Sequence, residues 1–341
     1  MVQPPRRDLA IDVHTHAMPM PLLRWLADLG LADLSGAAEE IVRLDSRVSG
    51  VGDRVPLPLA RSQHEAGTRL REMDEAGISH HAVSMPPFLF CSTAEDGGLV
   101  QDVVARGNEE LARYAAGGQD RLIALGSVPL GWPGAAAQAK RCLDDLAMGG
   151  IAIGTRGAGH DLDHPVNDEL WELLAERHTF VFLHPSGVPD AHRQRDFYLA
   201  QLAGYPMETA LAVARLVFGR VLERFELTLC LAHGGGCLPA IRGRLDMGWR
   251  NKEVAHTTAE PPSAYTSRLY YDTAVFSPVL LRRLVEDVGA SRVLLGTDHP
   301  FELRDADPLS SVAAANLAPA DRDAVVWGNA AWLLGLGRRS L

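Results

Sequence analysis

The chain has 341 residues, 47% of them hydrophobic and 22% charged, so a large core is available and global disorder is excluded. A formal net charge of −10 gives no support for a nucleic-acid partner, which would normally meet a basic face. No stretch approaches the about 20 apolar residues of a membrane span, and the Pro/Arg segment before Asp8 lacks the apolar core of a secretion signal.

In chain order, apolar strand-like runs alternate with longer helical patterns almost to the end. Leu9–Val13 is the first run. Residues 20–60 after it are too long for a plain loop and predict a small insertion covering the mouth of a pocket. Strand candidates then follow at His81–Ser84, Leu122–Val128, Ile151–Thr155, Phe180–His184, Leu227–Ala232, Leu269–Thr273 and Val293–Thr297. Helical spacing marks Ala66–Glu75, Gly97–Ala115, Ala135–Ala147, Asp168–Glu176, Glu208–Arg224, Leu238–Trp249, Pro278–Val288 and Asp321–Leu336. Asn167-Asp168 and Pro278 stand where helices should start. Alternation of this kind builds parallel βα units, and Val, Ile and Leu dominate most of the runs, as strands buried on both faces require. Eight such strands close a (β/α)8 TIM barrel, a fold that commonly runs to about 250 residues or more as one domain. No linker divides the chain, so residues 1–341 are expected to form a single barrel domain.

The chemistry collects at strand ends. Val13-His14-Thr15-His16 carries two histidines spaced i, i+2, which share one face of a strand. His184, His233 and Asp298 each end a later apolar run. In a closed barrel the C-terminal strand ends converge on one mouth, so these groups meet although they span most of the chain. Imidazoles with one carboxylate suit Zn²⁺, and also Mn²⁺, Fe²⁺ or Co²⁺. A purely structural site would draw its ligands from a local cluster, so ligands from distant strands favour catalysis. Cys91, Cys142, Cys230 and Cys237 show no CxxC pairing, which predicts reduced thiols in a cytoplasmic protein. Cys230 and Cys237 bracket His233, and a packing role is expected for both.

Val13-His14-Thr15-His16, His184-Pro185, His233-Gly234-Gly235-Gly236 and Thr297-Asp298-His299-Pro300-Phe301 together resemble the amidohydrolase superfamily. Within it they resemble the decarboxylase branch typified by the 2-amino-3-carboxymuconate-6-semialdehyde decarboxylases. The likeness runs from the first strand to Gly328-Asn329-Ala330-Ala331. It implies His14, His16, His184 and Asp298 as ligands of one divalent metal, with a water completing the shell. It implies His233 as the acid/base residue, with Asp298 sharing the catalytic role. It further implies Arg54 and Arg244 as binders of substrate carboxylate, Arg244 reaching across a homodimer, and Phe301 as a pocket wall.

The sequence departs from that pattern in places. Pro185-Ser186-Gly187 lacks the tryptophan of the semialdehyde decarboxylases, His299 stands where tyrosine is usual, and Thr155-Arg156-Gly157 adds an unassigned cation. No lysine sits at a strand end to bridge a second metal. The expected activity is metal-dependent, non-oxidative decarboxylation of an unsaturated or aromatic carboxylic acid, the small-molecule partner. The alternative is hydrolysis of a lactone or amide, or hydration of a double bond, at the same site.

Overall fold

Eight short strands of continuous apolar sequence form the centre of the computed structural model, which describes residues 9–50 and 54–336. We number these strands β1 (Ile11–His16), β2 (His80–Ser84), β3 (Leu122–Gly126), β4 (Gly150–Ile153), β5 (Phe180–Leu183), β6 (Thr228–Leu231), β7 (Tyr270–Asp272) and β8 (Val293–Leu294). They lie in one sheet in sequence order and every pairing is parallel. Almost every strand residue is buried, as expected where one face meets helices and the other fills the barrel. The sheet closes on itself between β8 and β1. Val13 N–H donates to Leu295 O at 2.9 Å, Asp298 N–H to His14 O at 2.9 Å, and His16 N–H to His299 O at 2.8 Å. The expected (β/α)8 TIM barrel is the observed fold.

Between strands run α1 (Ala66–Glu75), α2 (Gly97–Ala116), α3 (Ala135–Asp144), α4 (Asp168–Glu176), α5 (Tyr205–Phe218), α6 (Leu238–Asn251) and α7 (Pro278–Val288). Local chemistry fixes several of their starts. The Asp96 carboxylate accepts from Gly98 N and Leu99 N to cap α2, and Ser277 caps α7 ahead of Pro278. Asn167 precedes α4 but does not cap it; its side-chain oxygen accepts from Gly131 N instead. Two expected helices are broken. Glu208–Arg224 divides after Phe218, with Arg220 at φ 64° ahead of a separate turn, Val221–Arg224. Asp321–Leu336 resolves into Pro319–Asp323, a wide turn over Ala324–Gly328, and Asn329–Leu333.

The segment after β1 contains a helix, Met20–Asp28, and a three-stranded antiparallel sheet of Ala32–Asp33, Ile41–Leu44 and Pro56–Pro58. Prolines occupy an edge strand of that sheet, where a missing N–H breaks no internal ladder. Residues 51–53 of the Val48–Pro56 stretch and the Pro/Arg segment before Asp8 lie outside the described residues. No helix among the described residues is long and apolar enough to cross a membrane.

Candidate metal centre

The centre starts on β1. Strand β1 extends to His16 rather than ending at Val13, so both histidines are strand residues, each fully buried. Asp12 fastens this strand to the β8 end: its carboxylate accepts from His14 N at 3.0 Å, Thr297 N at 3.1 Å and Thr297 Oγ1 at 2.5 Å. Burial outweighs those bonds and pushes the Asp12 carboxyl up to about 7. The β5 end supplies His184, the β6 end His233, and the segment after β8 supplies Asp298. Ring centroids of His14 lie 5.2 Å from His16, 5.1 Å from His184 and 5.1 Å from His233.

Each inner histidine uses its Nδ1 on the surrounding frame. His14 Nδ1 lies 2.6 Å from Asp272 Oδ2, His184 Nδ1 lies 2.8 Å from Pro185 O, and His16 Nδ1 lies 3.3 Å from Met85 O and 3.2 Å from Ser84 Oγ. Acceptors at Nδ1 hold the proton there and leave the Nε2 lone pair free, the tautomer a metal needs. The Nε2 atoms of His14, His16 and His184 and Oδ1 of Asp298 are all buried without a hydrogen-bond partner. His14 Nε2 and His16 Nε2 each stand 3.2 Å from that Asp298 oxygen. Four unpaired ligand atoms around one point would be costly as an empty polar pocket and fit a divalent cation.

A second grouping overlaps the first: ligand atoms of His14, His184, His233 and Asp298 lie within 4.8 Å of one another. His233 differs from His16 in its bonding. Its Nε2 sits 3.5 Å from Asp298 Oδ2, while its Nδ1 has no frame acceptor. His16 and His233 thus differ in what holds their Nδ1: Met85 O and Ser84 Oγ flank that of His16, and nothing among the described residues holds that of His233.

Electrostatics agree with a cation at this point. Burial alone would lower the His14 pKa, but Asp298 and Asp272 overcome it and raise it to about 10. Burial and the neighbouring imidazoles push His184 well below its usual value; burial, offset in part by Asp298, lowers His16. Both are therefore neutral imidazoles. Burial would raise Asp298, yet its histidine neighbours hold it well below the usual carboxylate range. The site thus offers two neutral imidazoles, His16 and His184, one carboxylate, and a field that stabilises positive charge at His14.

Phe301 lies against the centre, its ring 5.3 Å from His16 and 6.3 Å from Phe88. The two arginines are not drawn into the cluster. Arg54 is exposed and donates to Gly30 O at 3.0 Å; Arg244 is exposed on α6. His299 is tied to Glu72 at 2.8 Å on the far side of Asp298. The cysteines are free, with Cys91, Cys142 and Cys230 buried in the core. Sequence reasoning passed over Asp272, which holds His14 and also accepts from Gly234 N at 2.8 Å and Ala274 N at 3.0 Å. It too ends a strand, so the same signal marks it. Tyr205 at the start of α5 was also passed over; its ring lies 5.9 Å from that of His184. Burial pushes the Tyr205 phenol up, so it stays protonated.

A family model described as "Amidohydrolase" matches residues 11–336. The chain belongs to the amidohydrolase family. It is 28% identical over 340 residues to the 2-amino-3-carboxymuconate-6-semialdehyde decarboxylase of Dictyostelium discoideum, covering 97% of this chain and 92% of that one. Its fold is similar to 5-carboxyvanillate decarboxylase from Sphingomonas paucimobilis, with a TM-score of 0.78 at 22% identity, over 96% of this chain and 99% of that one. It is also similar to a dihydroxybenzoic acid decarboxylase from Polaromonas sp. JS666 with bound manganese and the inhibitor 2-nitroresorcinol. That match has a TM-score of 0.76 at 21% identity and covers 97% of this chain and 98% of that one. These relatives are named as decarboxylases, that is, as carboxy-lyases.

Proposed function

We propose that this protein is a mononuclear-metal, non-oxidative decarboxylase of an unsaturated or aromatic carboxylic acid, of carboxymuconate-semialdehyde or hydroxybenzoate type. The observation that carries the proposal is the set of four buried, unpartnered ligand atoms of His14, His16, His184 and Asp298 at the barrel mouth, with His233 beside them. These four would hold one divalent ion. Imidazole-rich ligation suits Zn²⁺, and Mn²⁺ is the ion of the Polaromonas relative. When bound, such an ion polarises the oxygens of a substrate carboxylate or ring hydroxyl.

The chain's own residues do the rest. His233 supplies the proton that replaces CO₂ on the substrate carbon, which keeps the electron pair of the broken C–C bond. Asp298 Oδ2, 3.5 Å away, orients His233 for that transfer. The protonated Tyr205 closes one side beside His184, and Phe301 packs the other beside His16, excluding water from the reacting carbon. Arg54 and Arg244 would bind substrate carboxylate, Arg244 from the exposed face of α6 toward a neighbour's mouth in a homodimer. Residues 20–60 would cover that mouth.

The test is CO₂ release by the Mn²⁺- and Zn²⁺-loaded protein from 2,6-dihydroxybenzoate, 5-carboxyvanillate and 2-amino-3-carboxymuconate-6-semialdehyde. The proposal expects CO₂ and a product lighter by its mass from at least one of them. Silence on all, or a product heavier by one water, overturns it.

A further inference from the structure

A cleft of about 640 Å³ opens between Gly50 of the segment after β1 and the loops that follow β2, β3, β4 and β5. Tyr205 in its wall, with its ring 5.9 Å from that of His184, connects it to the metal centre. Tyr205 and Ser186 line it on the side of His184, and Ser92, Trp132 and Arg156 line it as well. Arg156 is held there by local geometry. Thr155 N–H donates to Ser186 Oγ at 3.2 Å, tying the β4 loop to the loop that carries His184 two residues earlier. Gly154 permits that approach, because a Cβ on it would lie 2.3 Å from Ser186 Oγ. Arg156-Gly157 then pairs with His160-Asp161 as a two-stranded ribbon. Gly131 and Gly157 let this ribbon press on the loop bearing Trp132: a Cβ on Gly157 would lie 2.0 Å from Leu130 O.

The position is fixed, yet the charge is poorly compensated. Among the described residues, the carboxylate within 4.0 Å of the Arg156 guanidinium is that of Asp161, at 3.6 Å, too far for a hydrogen bond. Asp161 is itself shared with Arg215 at 3.4 Å. The Arg156 side chain is 49% exposed and donates no hydrogen bond among the described residues. Glu95 lines the same cleft without pairing with it; Glu208, buried on the Thr155 side, feels the Arg156 charge through space but makes no ion pair within 4.0 Å of it among the described residues. A guanidinium with five free donors, on a rigid ribbon in the cleft that adjoins the metal centre, is built to receive a planar anion.

We infer that Arg156 selects substrates that carry a second carboxylate, which it binds in the cleft while the reacting carboxylate faces the metal centre. The inference rests on the decarboxylase reading only for the fate of the first carboxylate. No covalent step is involved at Arg156, so it is a specificity residue.

The test compares two probes by isothermal titration on the Mn²⁺-loaded protein. One is 2-hydroxybenzoate; the other is 4-hydroxyisophthalate, the same ring with a second carboxylate. A charge-assisted hydrogen-bonded pair at a half-exposed site corresponds to a preference of about tenfold. The unaltered protein should bind the dicarboxylate about tenfold more tightly. Arg156→Gln should erase that preference and leave 2-hydroxybenzoate binding within about twofold, and Arg156→Lys should recover part of it. Both variants should unfold at the temperature of the unaltered protein, since the side chain packs in no core. Absence of the preference in the unaltered protein, or its persistence in Arg156→Gln, overturns the inference. Because binding is read without turnover, an Arg156-dependent preference in a protein that releases no CO₂ would sink the decarboxylase reading and leave this one standing.

Discussion

Replacing Asp272 by asparagine should weaken metal binding without moving any ligand atom. The residue is fully buried, with Oδ2 at 2.6 Å from His14 Nδ1 and Oδ1 accepting from Gly234 N and Ala274 N. An asparagine of the same shape must keep its oxygen toward the two backbone donors, which turns its NH₂ group toward His14 Nδ1. A donor there forces His14 to carry its proton on Nε2, the atom that must be bare to bind a metal. Loss of such an outer partner costs about 10–100-fold in metal affinity, or about 1.4–2.7 kcal/mol. Removing the carboxylate also withdraws one of the two charges that raise His14 to about 10, so the site attracts a cation less. Competition for Mn²⁺ and Zn²⁺ against a chromophoric chelator measures this directly, with thermal unfolding of the metal-free proteins as a control for folding. Asp272→Asn affinities within about twofold of the unaltered protein would refute the reasoning, because the tautomer of His14 would then not depend on Asp272. Asp272→Ala is a harsher change. It strands three buried donors at about 1–3 kcal/mol each, so it should lower stability visibly as well.

Two further outcomes follow from the same geometry. His16→Asn should lower metal affinity by at least about tenfold, whereas His233→Asn should keep the metal and lose turnover; metal analysis after dialysis separates the two, and metal loss confined to the His233 variant would exchange their roles. Burial, reinforced by Arg69, holds His81 well below 6.5, and its Nδ1 accepts from Arg69 Nη1 at 3.2 Å. Because the folded pKa lies below the unfolded one, the stability that His81 contributes is complete above pH 6.5 and is lost as pH falls below it, by about 1.4 kcal/mol per pH unit. His81→Asn, which keeps an acceptor for Arg69, should therefore lose less stability between pH 7 and pH 5 in urea melts; an identical loss would remove His81 from the acid response.

The eight strands were legible because strands buried on both faces need apolar residues at consecutive positions, and little else in the chain has that texture. Their ends were less so: Leu9–Val13 reads as a finished strand only because His14, Thr15 and His16 look polar, yet all three are buried in β1. The broken helices show a complementary limit. Arg220 adopts φ 64° to end α5's run, a conformation that sequence favours at glycine and that helical periodicity does not register. The ligand residues stood out as polar groups at strand tips. Asp272 obeys the same rule and was hidden by the two tyrosines before it, whose hydroxyls blur the apolar run. Arg54 and Arg244 carry no local signature, since an exposed arginine on a loop or helix looks alike whether or not a substrate reaches it.

The three inner histidines are chemically alike in sequence and are made unlike by what holds their Nδ1 atoms. Backbone carbonyls hold His16 and His184, which fixes orientation and adds no charge. A full carboxylate holds His14, which makes it the most electron-rich of the three and the one whose field favours a cation most. His233 has no such anchor: its Nδ1 has no partner among the described residues. The strand ends thus build the candidate metal site. The loops after β2, β3, β4 and β5, which carry Ser92, Trp132, Arg156 and Ser186, shape the adjoining cleft without contributing a metal ligand before His184. Changes in those loops can therefore alter which acid is accepted while leaving the strand-end site in place, and two of this chain's departures from the family pattern, Arg156 and Pro185-Ser186-Gly187, fall in those loops.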